Sequence, residues 1–67
     1  MKKFDLTCKI GTYQKDGDTR TKWYRIGSLT QKDDGNEYIM LDPKINLSEL
    51  ARLQERDVVM VSIFESK

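Results

Sequence analysis

The chain has 67 residues and a mass of 7.9 kDa, and 37% of its residues are apolar, so we expect one small domain spanning residues 1–67. Twelve Lys and Arg against eleven Asp and Glu give a net charge of +1, which excludes strong attraction of the whole molecule to nucleic acid or to an anionic membrane. The sequence contains no His, the commonest general base and metal ligand. We therefore expect a binding protein and not an enzyme, with no catalytic residue, no cofactor and no metal site.

The cysteine count and the apolar runs predict a cytoplasmic protein. Cys8 is the single cysteine and has no partner for an intramolecular disulfide, as is typical of proteins in a reducing compartment. Apolar runs such as residues 58–61 are far shorter than the roughly 18 residues that cross a bilayer. Lys2 and Lys3 precede a segment interrupted by polar residues, so we expect no secretory signal and no membrane partner.

The first predicted element is a β-strand at about residues 3–13. Apolar residues alternate with polar ones here, at Phe4, Leu6, Cys8 and Ile10. This period of two is typical of a half-buried strand. Gly11 is expected to mark a bulge or bend, since a residue without a Cβ lets a long strand curl. The polar run at 14–20 predicts a connecting loop, in which Asp16-Gly17 supplies the positive φ that hairpins need.

Two more strands and a second turn complete a predicted meander. Strand character resumes at residues 22–30, with a second bulge expected at Gly27. Residues 32–36 carry the next turn signal, and residues 38–41 form the third strand, which Pro43 terminates because it lacks a backbone donor. Both connections are short, so the three strands are expected to pair antiparallel in chain order.

A helix and a return strand are predicted to follow. Asn46 and Glu49 occupy the N-cap and N3 positions of a capping-box-like start, which predicts a helix from Leu47 to about Gln54. The segment Val58 to Phe64 is apolar on both sides and predicts a last strand whose two faces are covered. That strand would lie either at the centre of the sheet or in the interface of a homodimer.

These elements predict a mainly β fold in the order β-β-β-α-β. A small curled antiparallel sheet or a partly open barrel satisfies this order. The oligonucleotide-binding (OB) barrel also places a helix between its third and fourth strands, so an OB-like arrangement is expected. An SH3-like barrel is the alternative closure.

The charge is distributed unequally along the chain. Residues 1–32 hold eight basic and three acidic residues, a net charge of +5. Residues 33–67 hold four basic and eight acidic residues, a net charge of −4. We therefore expect a basic surface on the first hairpin and an acidic surface around the helix.

Strand alternation predicts that the basic surface also carries aromatic rings. With the apolar residues of each strand facing inward, one outward sheet face would hold Lys9, Tyr13, Trp23, Arg25 and Tyr38, extended on the first hairpin loop by Lys15, Arg20 and Lys22. Flat rings stack on bases, each for roughly 1 to 3 kcal/mol, and cations follow the phosphates. The arrangement favours binding of single-stranded nucleic acid.

Structural interpretations of the same residues stay open at this point. Trp23 can be a core residue whose N–H bonds a backbone acceptor, and Tyr13 and Tyr38 can be cross-strand packing partners. The basic hairpin can be an ordinary solvated surface. Cys8 is expected to be a small buried hydrophobe. A protein-interaction module, or a homodimer that pairs through an exposed strand edge or the last strand, is therefore the competing function.

Several segments resemble small proteins carried by bacteriophages, prophages and plasmids, some of which are described as single-stranded DNA-binding. The segments are Lys9-Ile10-Gly11-Thr12-Tyr13, Trp23-Tyr24-Arg25-Ile26-Gly27-Ser28, Asp33-Asp34-Gly35 before Tyr38-Ile39-Met40-Leu41-Asp42, and Val61-Ser62-Ile63-Phe64-Glu65. The resemblance implies an OB-like sheet and a role in the replication of a mobile element. It also implies that Tyr13, Trp23 and Arg25 contact the nucleic acid.

Overall fold

The computed structural model describes residues 1–66, which form three strands, a helix and a last strand in the predicted order. The elements are β1 (Lys2–Lys15), β2 (Asp18–Gln31), β3 (Glu37–Leu41), α1 (Leu47–Leu53) and β4 (Ser62–Glu65). All four strands pair antiparallel in one sheet of order β3-β2-β1-β4. The predicted mainly β class, with a small antiparallel sheet and one helix, is confirmed. The sheet is open between β3 and β4, so the OB-like or SH3-like closure is not confirmed.

The first hairpin is longer and tighter than predicted. The expected loop at residues 14–20 is wrong, because β1 and β2 pair as far as Lys15 and Asp18. Asp16 and Gly17 alone form the turn, with φ of 52° and 83°, the two positive values of a type I′ hairpin. The β-branched Thr19 and Thr21 favour the extended backbone that carries the ladder to this turn.

The distal part of this hairpin, residues 11–22, is called the arm. β3 pairs with residues 27–31 of β2, and β4 pairs with residues 4–7 of β1, so both edge strands lie at the end of the hairpin away from the turn. The arm is therefore a two-stranded ribbon. A strand of 14 residues spans about 45 Å, which accounts for the longest dimension of the molecule, 45 Å.

Two bulges interrupt the pairing of β1 with β2, near the two glycines where they were expected. The register passes from Lys9–Trp23 to Gly11–Lys22, which leaves Ile10 as an extra residue on β1. It is shifted again beside Gly27, where Ile26 is the extra residue on β2. An extra residue reverses the alternation of side chains on its own strand. We call the side of Cys8 and α1 the inner face of the sheet, and the opposite side the outer face.

Gly27 allows β3 to approach β2 closely. A Cβ at this position would collide with the carbonyl oxygen of Met40 on β3. The predicted turn between these strands is confirmed: the backbone N–H of Lys32 donates to the carbonyl of Asn36 (2.8 Å), and that of Gly35 donates to Lys32 (3.0 Å).

The predicted helix is confirmed, and it covers only part of the sheet. The Asn46 side chain caps its first turn by accepting from the backbone N–H of Glu49 (3.1 Å), and the helix ends at Leu53. Leu50 is its buried residue, and the helix lies closest to β1. Among residues 1–66, the buried apolar core has five members, Leu6, Cys8, Ile26, Leu29 and Leu50. Among the described residues, no helix is long and apolar enough to cross a membrane.

The last strand differs from its prediction in length and position. The segment Val58 to Phe64 contributes only part of β4, and β4 is an edge strand, so the position at the sheet centre is wrong. Residues 58–61 are irregular because the Gln54 amide donates to the carbonyl of Met60 (3.0 Å) and accepts from its N–H (2.9 Å). These bonds use the backbone groups of Met60 that a ladder would need. The expected covering of both faces is also wrong, since Val58 and Ile63 are both 57% exposed.

An uncovered apolar surface remains on the inner face, and we call it the aliphatic groove. It has a volume of about 340 Å³ and is lined by Leu6, Ile26, Ile39, Leu41, Leu47, Val59, Val61 and Ile63. Ile39 and Leu41 share this face because they lie opposite Leu29 and Gly27 of β2. The groove therefore reaches from β3 on one edge of the sheet to β4 on the other.

Candidate nucleic-acid interface

The three aromatic residues predicted for the site are all at the surface. The exposed fractions are 47% for Tyr13, 45% for Trp23 and 49% for Tyr38. The interpretation of Trp23 as a core residue is therefore wrong. A half-exposed ring keeps enough free surface for a base to stack on it.

Three predicted residues lie close together on the outer face, and we call them the tryptophan face: Lys9, Trp23 and Arg25. Lys9 lies directly opposite Trp23, and Arg25 lies opposite Thr7, so the side chains stand on the same side of the sheet. The Arg25 Nε donates to the Asp5 carboxylate (3.1 Å), which compensates its charge. Lys9 forms no salt bridge within residues 1–66.

Tyr13 does not lie on the tryptophan face, which corrects the prediction. It is paired with Arg20, and the uninterrupted alternation of β2 from Arg20 places it on the same side as Lys22 and Tyr24. The cause is the bulge at Ile10, which reverses the alternation between Lys9 and the arm. Simple alternation from Phe4 therefore places Tyr13 on the wrong side.

The other side of the hairpin gathers two rings and three cations, and we call it the tyrosine face: Tyr13, Lys15, Arg20, Lys22 and Tyr24. Lys15 is opposite Asp18, the one acidic residue that the register places on this face of the arm. Within residues 1–66, none of the three cations forms a salt bridge. The face therefore presents three unpaired cations and one carboxylate to solvent.

Tyr24 is a member of this surface that strand alternation alone did not identify. It was not among the residues expected on the outward face, and it does lie opposite the buried Cys8, yet 43% of it is exposed. The helix does not close over it, and a cavity of about 300 Å³ separates Tyr24 from Asn46 and Leu50. The bulge signal at Gly11, applied to the alternation, would have placed Tyr13 and Tyr24 together.

Tyr38 belongs to a different part of the molecule. It lies on the outer face opposite Thr30, seven residues along β2 from Trp23, a distance of about 23 Å. The ammonium of Lys32 stands 4.9 Å from the centre of its ring, an arrangement that a cation–π attraction stabilises. The structure therefore does not bring Tyr38 together with the arm.

Trp23 forms one wall of a cleft beside the tryptophan face. Its ring meets Phe64 edge to face, with centroids 5.3 Å apart and planes at 80°. The cleft has a volume of about 350 Å³, and Lys9, Arg56 and Ser62 are among its lining residues. Arg56 is a second cation near the indole, and no sequence pattern pointed to it. An aromatic wall beside these groups can hold a base, while the Glu55 carboxylate, which also lines the cleft, offsets part of the positive charge that a phosphate would need.

The remaining reactive group is enclosed. Cys8 is fully buried, and burial raises the pKa of its thiol, which holds it in the protonated, weakly nucleophilic form. Among residues 1–66, no group of three or more His, Cys, Asp or Glu side chains could hold a metal ion.

No protein-family model, curated protein or solved structure matches this chain. The resemblance to small proteins of phages, prophages and plasmids stays a prediction. The geometry and the charge of the arm are therefore what bears on function.

Proposed function

We propose that this protein binds single-stranded nucleic acid, with DNA as the expected form, and that the tyrosine face is its main contact surface. The observation that carries the proposal is the tyrosine face, where Tyr13 and Tyr24 stand half-exposed among three cations without salt bridges in the described chain. The binding is stoichiometric and non-catalytic.

The chemistry of the arm suits an unpaired strand better than a duplex. Each exposed ring can stack on one base, which is worth roughly 1–3 kcal/mol, and bases are free to stack in this way only when they are unpaired. Lys15, Arg20 and Lys22 follow one side of the same ribbon, along which a phosphate backbone can lie. Trp23 and Lys9 offer a second stacking position across the hairpin.

The charge distribution also favours binding of a nucleic acid to the first hairpin. The first 32 residues carry a net charge of +5 while the remainder is acidic, so a polyanion is attracted to the hairpin and repelled elsewhere. The resemblance to proteins of phages, prophages and plasmids makes replication of a mobile element the proposed setting. The buried, unpaired Cys8 is compatible with work in the reducing cytoplasm.

A titration with labelled oligo-dT of about 10–16 nucleotides at low salt tests the proposal, with anisotropy and Trp23 fluorescence as readouts. We expect binding at micromolar protein. Tyr13→Ala and Tyr24→Ala should each weaken it by about 5- to 100-fold, the loss of one stacked base. Tyr38→Ala is the matched control, because the same ring is removed about 23 Å from Trp23, and it should leave affinity unchanged.

Salt dependence tests the part played by the cations. Three contacted phosphates predict that the logarithm of affinity falls with the logarithm of salt with a slope of about −2. Arg20→Gln and Lys22→Gln should each reduce this slope by about 0.7, and Lys32→Gln, beside Tyr38 and away from the tyrosine face, should not change it. Absence of binding at tens of micromolar protein, or an equal loss with Tyr38→Ala and Tyr24→Ala, would show the proposal to be wrong.

A further inference from the structure

The inner face of the sheet is only half covered. A sheet with an apolar face requires a second layer, and here that layer is α1, which lies closest to β1, with Ile45 and Val59 packed against the same core. The aliphatic side chains of both edge strands consequently face solvent. Ile39 is 64% exposed, Ile63 57% and Leu41 52%.

We propose that the aliphatic groove is the interface of a homodimer, in which each copy covers the groove of the other. The groove is lined by aliphatic side chains alone, so burying it leaves no charge without a partner. The same lack of charge disfavours a charged peptide or a polyanion as the occupant. This inference does not depend on nucleic-acid binding, since the tyrosine face and the groove share no residue.

The available area fits a second copy. The exposed parts of Ile39, Leu41, Leu47, Val61 and Ile63 make roughly 500 Å², comparable to the largest apolar patch of a typical soluble protein, about 300–600 Å², which is often a functional surface. Two such patches bury about 1,000 Å² in total, the lower limit for a specific interface. A two-fold dimer uses the same patch on both subunits, so a continuous, uncharged patch that spans the sheet satisfies both sides at once.

The need for this contact follows from the size of the core. Five buried apolar residues among residues 1–66 make a small core, and small domains with such cores commonly gain stability from oligomerisation. Covering the groove would bury as many further aliphatic side chains in each copy as the monomer core contains.

Sedimentation equilibrium of the full chain from micromolar to hundreds of micromolar tests the interface. We expect a mass approaching twice 7.9 kDa for the native chain. Ile39→Glu places a charge in the groove at a position outside the core and should weaken the dimer at least 100-fold, with the far-UV circular dichroism retained. The matched control is Met40→Glu, since Met40 is 58% exposed on the same strand but on the outer face, and it should leave the dimer intact.

Other outcomes are decisive as well. A native chain that stays monomeric at the highest concentration, or a dimer that Met40→Glu disrupts and Ile39→Glu does not, overturns the proposal. If Ile39→Glu fails to fold, the Tm of the Met40→Glu protein decides: a rise over a hundredfold range of concentration supports pairing through the inner face, and a constant Tm overturns it.

Discussion

β1 and β2 each run through two regions, which differ in burial and in the strands that flank them. In the half next to the helix, the hairpin is flanked by β3 and β4, carries both bulges and supports a core that includes Leu6 and Cys8. In the arm, the same two strands continue past Gly11 as a ribbon held by its own ladder and by the Asp16-Gly17 turn. The comparison shows that burial differs along one pair of strands, since the core cluster of Leu6, Cys8, Ile26, Leu29 and Leu50 has no member in the arm. We therefore expect substitutions in the arm to affect stability less than substitutions beside the helix.

The two halves should differ most in stability when a large side chain in each of them is replaced by alanine. Leu6→Ala leaves a cavity in the core, where Leu6 is 4% exposed, and should lower the free energy of unfolding by about 2–5 kcal/mol. Tyr13→Ala in the arm should lower it by less than about 1 kcal/mol. Urea unfolding followed by circular dichroism measures both, and similar losses would mean that the arm is part of the cooperative core.

A pair of glycine substitutions should destabilise the two halves of the hairpin by different mechanisms. Gly27→Ala forces β3 away from β2, because the new Cβ meets the Met40 carbonyl, and should cost about 1–3 kcal/mol of global stability. Gly17→Ala has open space around it, but its φ of 83° is unfavourable for alanine by about 1–2 kcal/mol. Hydrogen exchange should show faster exchange in the arm alone for Gly17→Ala and across the sheet for Gly27→Ala. Faster hydrogen exchange across the whole sheet for Gly17→Ala would contradict this division of the hairpin into two halves.

The pH dependence of the free energy of unfolding tests the burial of Cys8 in the half of the hairpin next to the helix. The thiol has a higher pKa in the folded chain than in the unfolded chain, since burial disfavours the thiolate. Its contribution is therefore intact at neutral pH and is lost progressively as the pH rises above about 8.5. Unfolding measured from pH 7 to pH 10 should show this decline, and Cys8→Ala should show a shallower one. Equal slopes for the two proteins would place the thiol in contact with water.

The substitution with the smallest expected effect should leave stability unchanged or raise it. Within residues 1–66, the Thr7 hydroxyl is buried with no hydrogen-bond partner, at the level of β1 where Arg25 and Ser62 lie on either side. Thr7→Val keeps the shape and removes the unsatisfied group, so stability should stay constant or rise by about 1 kcal/mol. Ser62→Ala is the control, and a loss above about 1 kcal/mol with Thr7→Val would reveal a bonded hydroxyl.

Local patterns were sufficient to predict the elements whose cause is local. The alternation from Phe4 to Ile10, the turn at residues 32–36 and the Asn46 cap each depend on neighbours within a few residues, and each is confirmed. The bulge sites were also indicated by Gly11 and Gly27. Simple alternation ignores the reversal that a bulge causes, so it predicts the wrong face for Tyr13 and does not identify Tyr24 as a surface residue.

Features that depend on distant partners were not predicted. Residues 58–61 have strand-like composition, but the Gln54 side chain bonds the backbone of Met60, and composition alone does not reveal that bond. Sequence also does not reveal how far α1 reaches across the sheet, so the exposure of Ile39 and Leu41 became visible only with the fold. For the site, the cations and rings were identified, while their division between two faces required the register.

The open edges of the sheet set a limit on how the protein can be concentrated. β3 and β4 differ in sequence, so docking β3 of one molecule onto β4 of the next repeats without closing and produces linear polymers. The strands are only five and four residues long, and Glu37 and Glu65 put a negative charge on each of them. Replacing both carboxylates, by Glu37→Gln with Glu65→Gln, would remove this protection, and turbidity or fibre growth would then begin at the borders of the sheet.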